Sequence, residues 1–196
     1  MIYKEEIKPI FSDYDLILVD LYNTLVRNVV RVHPYKVIFK EYENKINIPS
    51  RELFDKCMKS NLFIQDFLMK EYKITMTDAS INEFNSLLKE EFDSVMFNKE
   101  LITQLVNSNS KIVLISNLSP EYYEPIPELK EIMKLDNEVL SFKEGILKPE
   151  LSIFEKAISF YPDANNILMI GDNYKLDIEP TIKLGIDSYL VSKWWQ

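Results

Sequence analysis

The chain has 196 residues, of which 46% are apolar and 28% are charged, a composition typical of soluble globular proteins. Its formal net charge of −8 argues against broad nucleic-acid binding, because an acidic surface repels a phosphate backbone. Its apolar runs are far shorter than the roughly 20 residues that cross a bilayer, so no membrane segment is predicted. The single cysteine, Cys57, and a start without an apolar signal segment favour a cytoplasmic protein with a buried, inert thiol.

The first predicted element is a buried strand over Leu16–Val19, whose unbroken apolar run is typical of a parallel strand covered on both faces. From Leu25 to about Asn98 the spacing of apolar residues becomes helical, without strand-like runs. Amphipathic helices are predicted over Pro34–Tyr42, Ser50–Ser60, Leu62–Tyr72 and Thr77–Phe97. This stretch is expected to form a second, smaller unit, and its charge-rich part Lys89–Asp93 is expected to be a solvated helix face.

Two more unbroken apolar runs predict buried strands over Lys111–Ser116 and Asn166–Asp172. A helix is predicted over Tyr174–Leu184, with Gly185 as the residue that ends it, and a further strand is predicted around Ser188–Val191. Strands that alternate with helices in this way predict an α/β fold with a parallel sheet.

Polar side chains follow the three buried strands at the points where they end. Asp20 follows the first strand, Ser116 closes the second and Asp172 follows the third. Because ligands bind outside the carboxyl ends of the strands in open α/β sheets, we expect these residues to meet at one site. Lys148, before a predicted helix, and Asp177 add an ammonium and a further carboxylate. This set of groups suits the handling of an anion with a divalent metal.

In this order along the chain, the residues resemble the four motifs of the haloacid dehalogenase superfamily. The motifs are Asp-x-Asp-x-Thr, Ser or Thr, Lys, and Gly-Asp-x(3–4)-Asp, and their counterparts here are Asp20-Leu21-Tyr22-Asn23-Thr24, Ser116, Lys148, and Gly171-Asp172 with Asp177. The resemblance covers nearly the whole chain. It implies a three-layer, Rossmann-like core domain formed by 1–24 and 99–196, with 25–98 as a small, all-helical cap domain over the active site.

The resemblance also implies catalytic roles. Asp20 would be the nucleophile, forming an aspartyl intermediate with the substrate. Thr24 and Ser116 would hydrogen-bond the nucleophile or the transferring group, and Lys148 would neutralise the charge that grows on its oxygens.

A magnesium site is implied by the same motifs. Asp172 would bind Mg²⁺ together with Asp20 and the main-chain carbonyl of Tyr22, since oxygen-only ligands suit this ion. Asp177 would lie in the second layer, where it would orient metal-bound water or Lys148.

Tyr22 departs from the motif, because the phosphatases of the superfamily carry a second aspartate at this position. That aspartate acts as general acid and then as general base, a role worth roughly 10²- to 10⁴-fold in rate. A phenol with an ordinary pKa of about 10 can donate a proton, but it is a poor base at neutral pH.

Three interpretations of Tyr22 stay open. In the L-2-haloacid dehalogenase branch the motif reads Asp-x-Tyr-Gly-Thr, which favours carbon–halogen chemistry, but Gly171-Asp172 with Asp177 is the metal-binding version of the fourth motif. The second interpretation is a Mg²⁺-dependent phosphohydrolase or phosphotransferase that prefers good leaving groups, such as acyl or aryl phosphates. The third is a catalytically weak binding or interaction member of the same fold.

Substrate contacts are expected from residues near the motifs. Arg27, Arg31 and Arg51 are the arginines of the chain, and we expect Arg27 or Arg51 to bind a carboxylate or a phosphate. Tyr22 and Asn117 are the other expected substrate contacts. The expected partner is a small anionic molecule, with neither a nucleic acid nor a membrane.

Two further features concern residues outside these motifs. His33, which precedes Pro34, is expected to be a hinge or surface residue. Trp194 and Trp195 are expected to pack on the domain or to form an oligomer contact, because tryptophan is enriched at interfaces.

Overall fold

The computed structural model describes residues 3–4, 9–123, 126–133, 135 and 137–191. The strands of this part of the chain belong to two sheets. The strands are Tyr3–Lys4 (β1), Leu16–Val19 (β2), Val26–Asn28 (β3), Val95–Phe97 (β4), Lys111–Ser116 (β5), Asn137–Leu140 (β6), Ile167–Gly171 (β7) and Asp187–Leu190 (β8). Among the described residues, six parallel strands form one sheet in the order β1-β8-β7-β2-β5-β6, and β3 pairs with β4 in an antiparallel sheet.

Helices connect these strands. The α-helices are Pro34–Glu41 (α1), Ser50–Met58 (α2), Ile64–Tyr72 (α3), Asp78–Asp93 (α4), Lys99–Val106 (α5), Ile126–Met133 (α6), Ser141–Glu144 (α7), Leu151–Ile158 (α8) and Glu179–Lys183 (α9). Phe11–Asp13 and Pro120–Tyr123 form 3-10 turns. Helices α4 and α5 begin at side-chain caps, where Thr77 accepts from the Ser80 N–H of α4 and Asn98 accepts from the Leu101 N–H of α5.

Strand β2, in the middle of the sheet, is apolar throughout because both faces of the sheet are buried there. Ile17 and Val19 of β2 pack into a cluster on one face, whereas Leu16 and Leu18 pack into a cluster on the other. The side chains of a strand point alternately to the two faces, so a strand covered on both sides needs apolar residues at every position. The predicted α/β fold with a parallel sheet is confirmed.

Helices α1–α4 form a helical unit with a hydrophobic cluster of its own. The cluster is distinct from those on the sheet, and its members include Tyr35, Ile38, Phe39, Leu53, Cys57, Phe67, Leu68, Phe84 and Leu88. Cys57 is buried there, as predicted, and burial raises the pKa of its thiol. Among the described residues, no helix combines the length and the apolar content that crossing a bilayer would need.

Segment 25–98 is not all helical as predicted, because it contains a short strand near each of its ends. The predicted helix Thr77–Phe97 ends at Asp93, and Val95–Phe97 pairs with Val26–Asn28. The helix ends early for a local reason as well as through this strand pairing. The Ser94 hydroxyl donates to the Glu91 carbonyl at 2.7 Å and so closes the helix.

The predicted helix Tyr174–Leu184 is also interrupted. Tyr174–Ile178 forms a π-helical turn that leads into α9. Pro180, near the start of α9, has no N–H to donate, which explains why the regular helix starts afresh there. Gly185 follows the helix with a φ of 75°, in the left-handed conformation that its predicted role requires.

Candidate active site

The sheet order brings the polar strand ends together. Strand β2 lies between β5 and β7, and Val19 is level with Leu114 on one side and with Ile170 on the other. Asp20, directly after β2, therefore lies between Ser116 at the end of β5 and the start of the loop after β7. The site occupies the carboxyl edge of the sheet, where the chain turns from one side of β2 to the other.

The carboxylate of Asp20 is fixed by three donors. Lys148 Nζ donates to Oδ1 at 2.7 Å and Ser116 Oγ donates to the same oxygen at 3.2 Å. Thr24 Oγ1 lies 3.4 Å from Oδ2 and donates to it. Asp20 is 6% exposed, so its orientation is set by these contacts and not by solvent. The structure thus assembles all four residues that the resemblance names as catalytic.

Lys148 is an ammonium buried between two carboxylates. Its Nζ donates to Asp177 Oδ1 at 2.6 Å and to the Ile115 carbonyl at 3.3 Å, besides its contact with Asp20. Burial disfavours the charged form, but the carboxylates of Asp177 and Asp20 outweigh burial and raise the pKa of Lys148. The lysine is therefore a permanent cation at the site.

Asn117 holds the main chain of Lys148. Its Oδ1 accepts from the Lys148 N–H at 2.7 Å, and its Nδ2 donates to the Lys148 carbonyl at 2.9 Å. Both ends of the amide are engaged in this way. Asn117, expected as a substrate contact, lies beside the site chiefly as a residue that positions Lys148.

Asp20, Asp172 and Asp177 form an acidic cluster, with one carboxylate oxygen of each within 4.8 Å of the others. Burial, followed by repulsion from Asp20 and Asp177, raises the pKa of Asp172 to about 7. Gly171 permits this arrangement, because a Cβ at that position would lie 2.4 Å from Asp177 Oδ2. Three carboxylates with one ammonium leave an excess of negative charge, and this donor set fits a divalent cation that prefers oxygen ligands.

A cavity of about 460 Å³ lies between this edge of the sheet and the helical unit. Its lining combines residues of the first motif, the segment 28–33, the helical unit and the loop after β5: Tyr22, Asn23, Asn28, Arg31, His33, Phe54, Met58, Glu91, Asn117, Leu118, Ser119 and Tyr122. The volume lies within the range of roughly 300–1,000 Å³ that is usual for small-molecule sites.

The phenol of Tyr22 is directed toward the loop after β5. Its hydroxyl donates to the Tyr122 carbonyl at 3.3 Å. The rings of the two tyrosines meet edge to face, with centroids 5.6 Å apart. Tyr22 thus lies at the expected place beside the site, with its hydroxyl group already engaged by the main chain.

The family follows from a comparison with known sequence families. The family model of the haloacid dehalogenase-like hydrolases matches residues 14–185. The chain belongs to this family. A search of curated proteins by sequence found no match.

Solved structures of haloacid dehalogenase-like (HAD) proteins share the fold. A predicted HAD-like family hydrolase from Porphyromonas gingivalis has a TM-score of 0.63 at 17% identity, over 93% of this chain and 94% of the other. A HAD family enzyme of Bacteroides thetaiotaomicron, in complex with magnesium and inorganic phosphate, has a TM-score of 0.62 at 16% identity, over 93% and 98%. The 2-haloacid dehalogenase of Pseudomonas syringae has a TM-score of 0.60 at 15% identity, over 93% and 90%. At these identities the likeness shows the fold alone.

Among the arginines of this HAD-like hydrolase, Arg31 reaches the cavity. It lies between β3 and α1 and donates to Asn23 Oδ1. Arg27 lies in β3 opposite Met96, outside the cavity lining. Arg51 has a side chain 80% exposed and pairs with Asp55 at 3.2 Å. It lines a neighbouring cavity, which shares His33, Phe54 and Tyr122 with the first. The pairing of β3 and the position of Arg51 in α2 thus leave both residues outside the lining of this cavity, and a contact of either one with substrate stays a prediction.

Glu91 is a buried residue of the cavity that the sequence analysis missed. It is 3% exposed, so the prediction of a solvated face over Lys89–Asp93 is wrong at this position. Glu91 follows Phe84 and Leu88 on the buried face of α4, and this helical spacing is the signal that could have identified it.

Four donors saturate the carboxylate of Glu91. Its Oε1 accepts from the N–H groups of Val32 and His33, both at 2.9 Å. Its Oε2 accepts from the Tyr122 hydroxyl at 2.6 Å and from Asn28 Nδ2 at 3.2 Å. Glu91 of α4 therefore connects the segment before α1 with the loop after β5 through hydrogen bonds. His33 itself is exposed and left-handed, with a φ of 56°, at the start of α1, in agreement with its predicted place.

The loop after β5 also contacts the helical unit through Glu121. Its carboxylate accepts from the Tyr35 hydroxyl of α1 and from the Ile64 N–H at the first turn of α3. Helix α3 has no side-chain cap of its own, so this contact satisfies a donor that would otherwise lack a partner. Trp194 and Trp195 lie outside the described residues.

Proposed function

We propose that this HAD-like hydrolase is a Mg²⁺-dependent phosphohydrolase or phosphotransferase that acts through an aspartyl-phosphate on Asp20. The observation that supports this proposal most strongly is the acidic cluster of Asp20, Asp172 and Asp177. Beside the expected nucleophile, burial and then repulsion from Asp20 and Asp177 raise the pKa of Asp172 to about 7. The Bacteroides relative with magnesium and inorganic phosphate is consistent with the same chemistry.

Asp20, Asp172 and the main-chain carbonyl of Tyr22 would hold the metal ion. When bound, Mg²⁺ supplies positive charge that stabilises a phosphoryl group during transfer. Asp177 contributes in a different way, because it accepts from both Lys148 Nζ and the Asn173 N–H and so fixes the ammonium beside Asp20.

The residues of the chain would perform a two-step transfer. A carboxylate oxygen of Asp20 attacks phosphorus, and the ester oxygen leaves with the bonding electrons. Lys148 and Ser116, which both contact Asp20 Oδ1, stabilise the charge on the transferring group. Water then cleaves the acyl phosphate and restores the carboxylate.

Tyr22 would limit the range of leaving groups. Its hydroxyl donates to the Tyr122 carbonyl, and no second aspartate is present in the first motif to protonate the ester oxygen. We therefore expect aryl and acyl phosphates, whose leaving groups need little protonation, to be better substrates than alkyl phosphates.

We also propose that segment 25–98 acts as the cap that selects the substrate. Phe54 and Met58 of α2 and Glu91 of α4 line the cavity from the side of the helical unit. The hydrophobic cluster of this unit is separate from those of the sheet, which supports its assignment as a second domain.

A haloacid dehalogenase is the second candidate function. Tyr22 favours it, since a halide leaves without protonation and the dehalogenase branch carries tyrosine at this position. The fold of the Pseudomonas dehalogenase is compatible with it as well. The acidic cluster weighs against it. Haloacid dehalogenation needs no metal ion, so the negative charge of three neighbouring carboxylates would have no cation to offset it.

Two assays on the wild-type protein separate these functions. The first measures phosphate release from 4-nitrophenyl phosphate with Mg²⁺ or with EDTA, and the second measures chloride release from L-2-chloropropionate under the same conditions. We expect phosphate release that requires Mg²⁺, and no chloride release. Metal-independent chloride release without phosphate release would establish the dehalogenase, and inactivity in both assays would favour a binding member of the family.

A further inference from the structure

Arg31 places a guanidinium on the cavity wall. Its terminal nitrogen Nη2 donates to Asn23 Oδ1, and within the described part of the chain it forms no ion pair with a carboxylate. A guanidinium has five N–H donors in a planar fork, so this one contact leaves others for a ligand. The geometry of the fork matches a carboxylate or a phosphate.

The other charged residue of the lining, Glu91, does not neutralise Arg31. Each oxygen of the Glu91 carboxylate already accepts two hydrogen bonds, from Val32 and His33 on one side and from Tyr122 and Asn28 on the other. This carboxylate has no lone pair to spare for Arg31, so the arginine keeps its remaining donors for an anionic ligand.

Asn23 connects Arg31 to the acidic cluster. Its side-chain oxygen accepts from Arg31, and its side chain also hydrogen-bonds Asp172, which opposes the rise in the pKa of that carboxyl. The amide is therefore oriented by both residues, with its oxygen toward the arginine. Arg31 lies one side chain away from the cluster where the phosphoryl group would react.

The transferring phosphoryl group has partners of its own at the other end of the site. Ser116 and Lys148 converge on Asp20 at the sheet edge. Arg31 lines the wider part of the cavity, together with Phe54 and Met58, where the remainder of a substrate would lie. A cavity of about 460 Å³ has room for such a remainder.

We infer that Arg31 binds a second anionic group, so that the preferred substrate is a phosphate ester that also carries a carboxylate or another phosphate. The inference rests on the proposed function, since it names the substrate class of the same site. It assigns to Arg31 a role in specificity that is separate from the chemistry at Asp20.

The test compares phenyl phosphate with 3- and 4-carboxyphenyl phosphate, which present the same ester to Asp20 and differ in one carboxylate. We expect wild-type kcat/KM to be about 10- to 100-fold higher for the better carboxylated isomer, mainly through KM. Arg31→Gln should remove this preference, because its kcat/KM should fall far more for the carboxylated isomer than for phenyl phosphate. Arg51→Gln, which removes an arginine outside the cavity, should retain the preference.

Two results would overturn the assignment. One is equal wild-type kcat/KM for phenyl phosphate and both carboxylated isomers. The other is an Arg31→Gln variant that loses activity toward phenyl phosphate by the same factor, which would place Arg31 on the transferring phosphoryl group. Thermal melting of both variants checks that they are folded.

Failure of the proposed function would be recognised separately, as the absence of hydrolysis of every ester by the wild-type protein. Binding of the same esters, measured by calorimetry in the presence of Mg²⁺, then tests Arg31 without catalysis. A tenfold weaker affinity of Arg31→Gln for the carboxylated ester alone supports the assignment, whereas unchanged affinity overturns it.

Discussion

The Lys148 ammonium lies 2.7 Å from Oδ1 of Asp20, although 128 positions separate the two residues along the chain. The contact exists because β2 and β5 are adjacent strands of the sheet and because Asn117, directly after β5, hydrogen-bonds the main chain of Lys148. The expected nucleophile and the cation beside it are therefore placed by the same strand ends. The consequences for stability and activity can be measured.

Removal of Lys148 should destabilise the fold and slow catalysis. In Lys148→Met the buried carboxylates of Asp20 and Asp177 lose their cation, and we expect the free energy of unfolding to fall by about 3–5 kcal/mol. Activity should fall on the order of 10²- to 10³-fold, as for other lost stabilisers of transition-state charge. Urea unfolding at pH 7 and phosphate release measure the two effects. The exposed Lys70→Met should change neither, and a stable, active Lys148→Met protein would contradict the arrangement.

Stability without metal should fall as pH rises. Burial and the neighbouring carboxylates raise the pKa of Asp172 from 3.8 to about 7. Between these values the folded protein binds a proton that the unfolded chain has released, so the free energy of unfolding decreases with rising pH across this window. In EDTA we expect Asp172→Asn to be about 2 kcal/mol more stable than wild type at pH 8.

Two controls test this prediction, a lower pH and the addition of Mg²⁺. Near pH 3.8, where the unfolded chain also holds much of this proton, the difference between the two proteins should largely vanish. Mg²⁺ at pH 8 should stabilise wild type more than Asp172→Asn, because an ion that binds the folded state stabilises it. A variant that Mg²⁺ stabilises as strongly as wild type would show that Asp172 is not a ligand.

Tyr22 should not act as the general acid. Its hydroxyl is bound to the Tyr122 carbonyl, so Tyr22→Phe should change the hydrolysis of an aryl phosphate by less than about threefold. Tyr22→Asp should raise the hydrolysis of an alkyl phosphate by about 10²-fold, since it supplies the missing acid and base. A hundredfold loss of activity in Tyr22→Phe would instead assign the proton transfer to the phenol.

Glu91 should contribute strongly to stability. Its carboxylate accepts four hydrogen bonds, and a glutamine there would present an NH₂ group to donors that need an acceptor. We expect Glu91→Gln to lower the free energy of unfolding by about 2–3 kcal/mol. Its exposed neighbour offers a matched control, and Glu90→Gln should have almost no effect. Equal stability of the two variants would refute the role of this network.

Much of the sheet could be predicted because buried parallel strands leave a local signal. Leu16–Val19 and Lys111–Ser116 are unbroken apolar runs, and each is observed as a strand with the predicted bounds. The polar residues that follow them then meet by topology alone. The convergence of Asp20 and Ser116 needed no knowledge of the loops.

The failures concern contacts between distant segments. Val95–Phe97 has helical neighbours in sequence, and only its pairing with Val26–Asn28 makes it a strand. The same pairing carries Arg27 away from the cavity, whereas Arg31, in the loop that follows, is turned toward it. Glu91 lies in a charged stretch, and its burial depends on donors from three other segments. None of these partners is visible in the local sequence.

The most direct test of the central claim is phosphate release from 4-nitrophenyl phosphate by wild type, Asp20→Asn and the exposed control Asp66→Asn, each titrated with Mg²⁺. The proposed mechanism requires wild type and Asp66→Asn to be active only with Mg²⁺, and Asp20→Asn to be inactive at every concentration of the ion. Full activity of Asp20→Asn, or wild-type activity that is unchanged in EDTA, would contradict it.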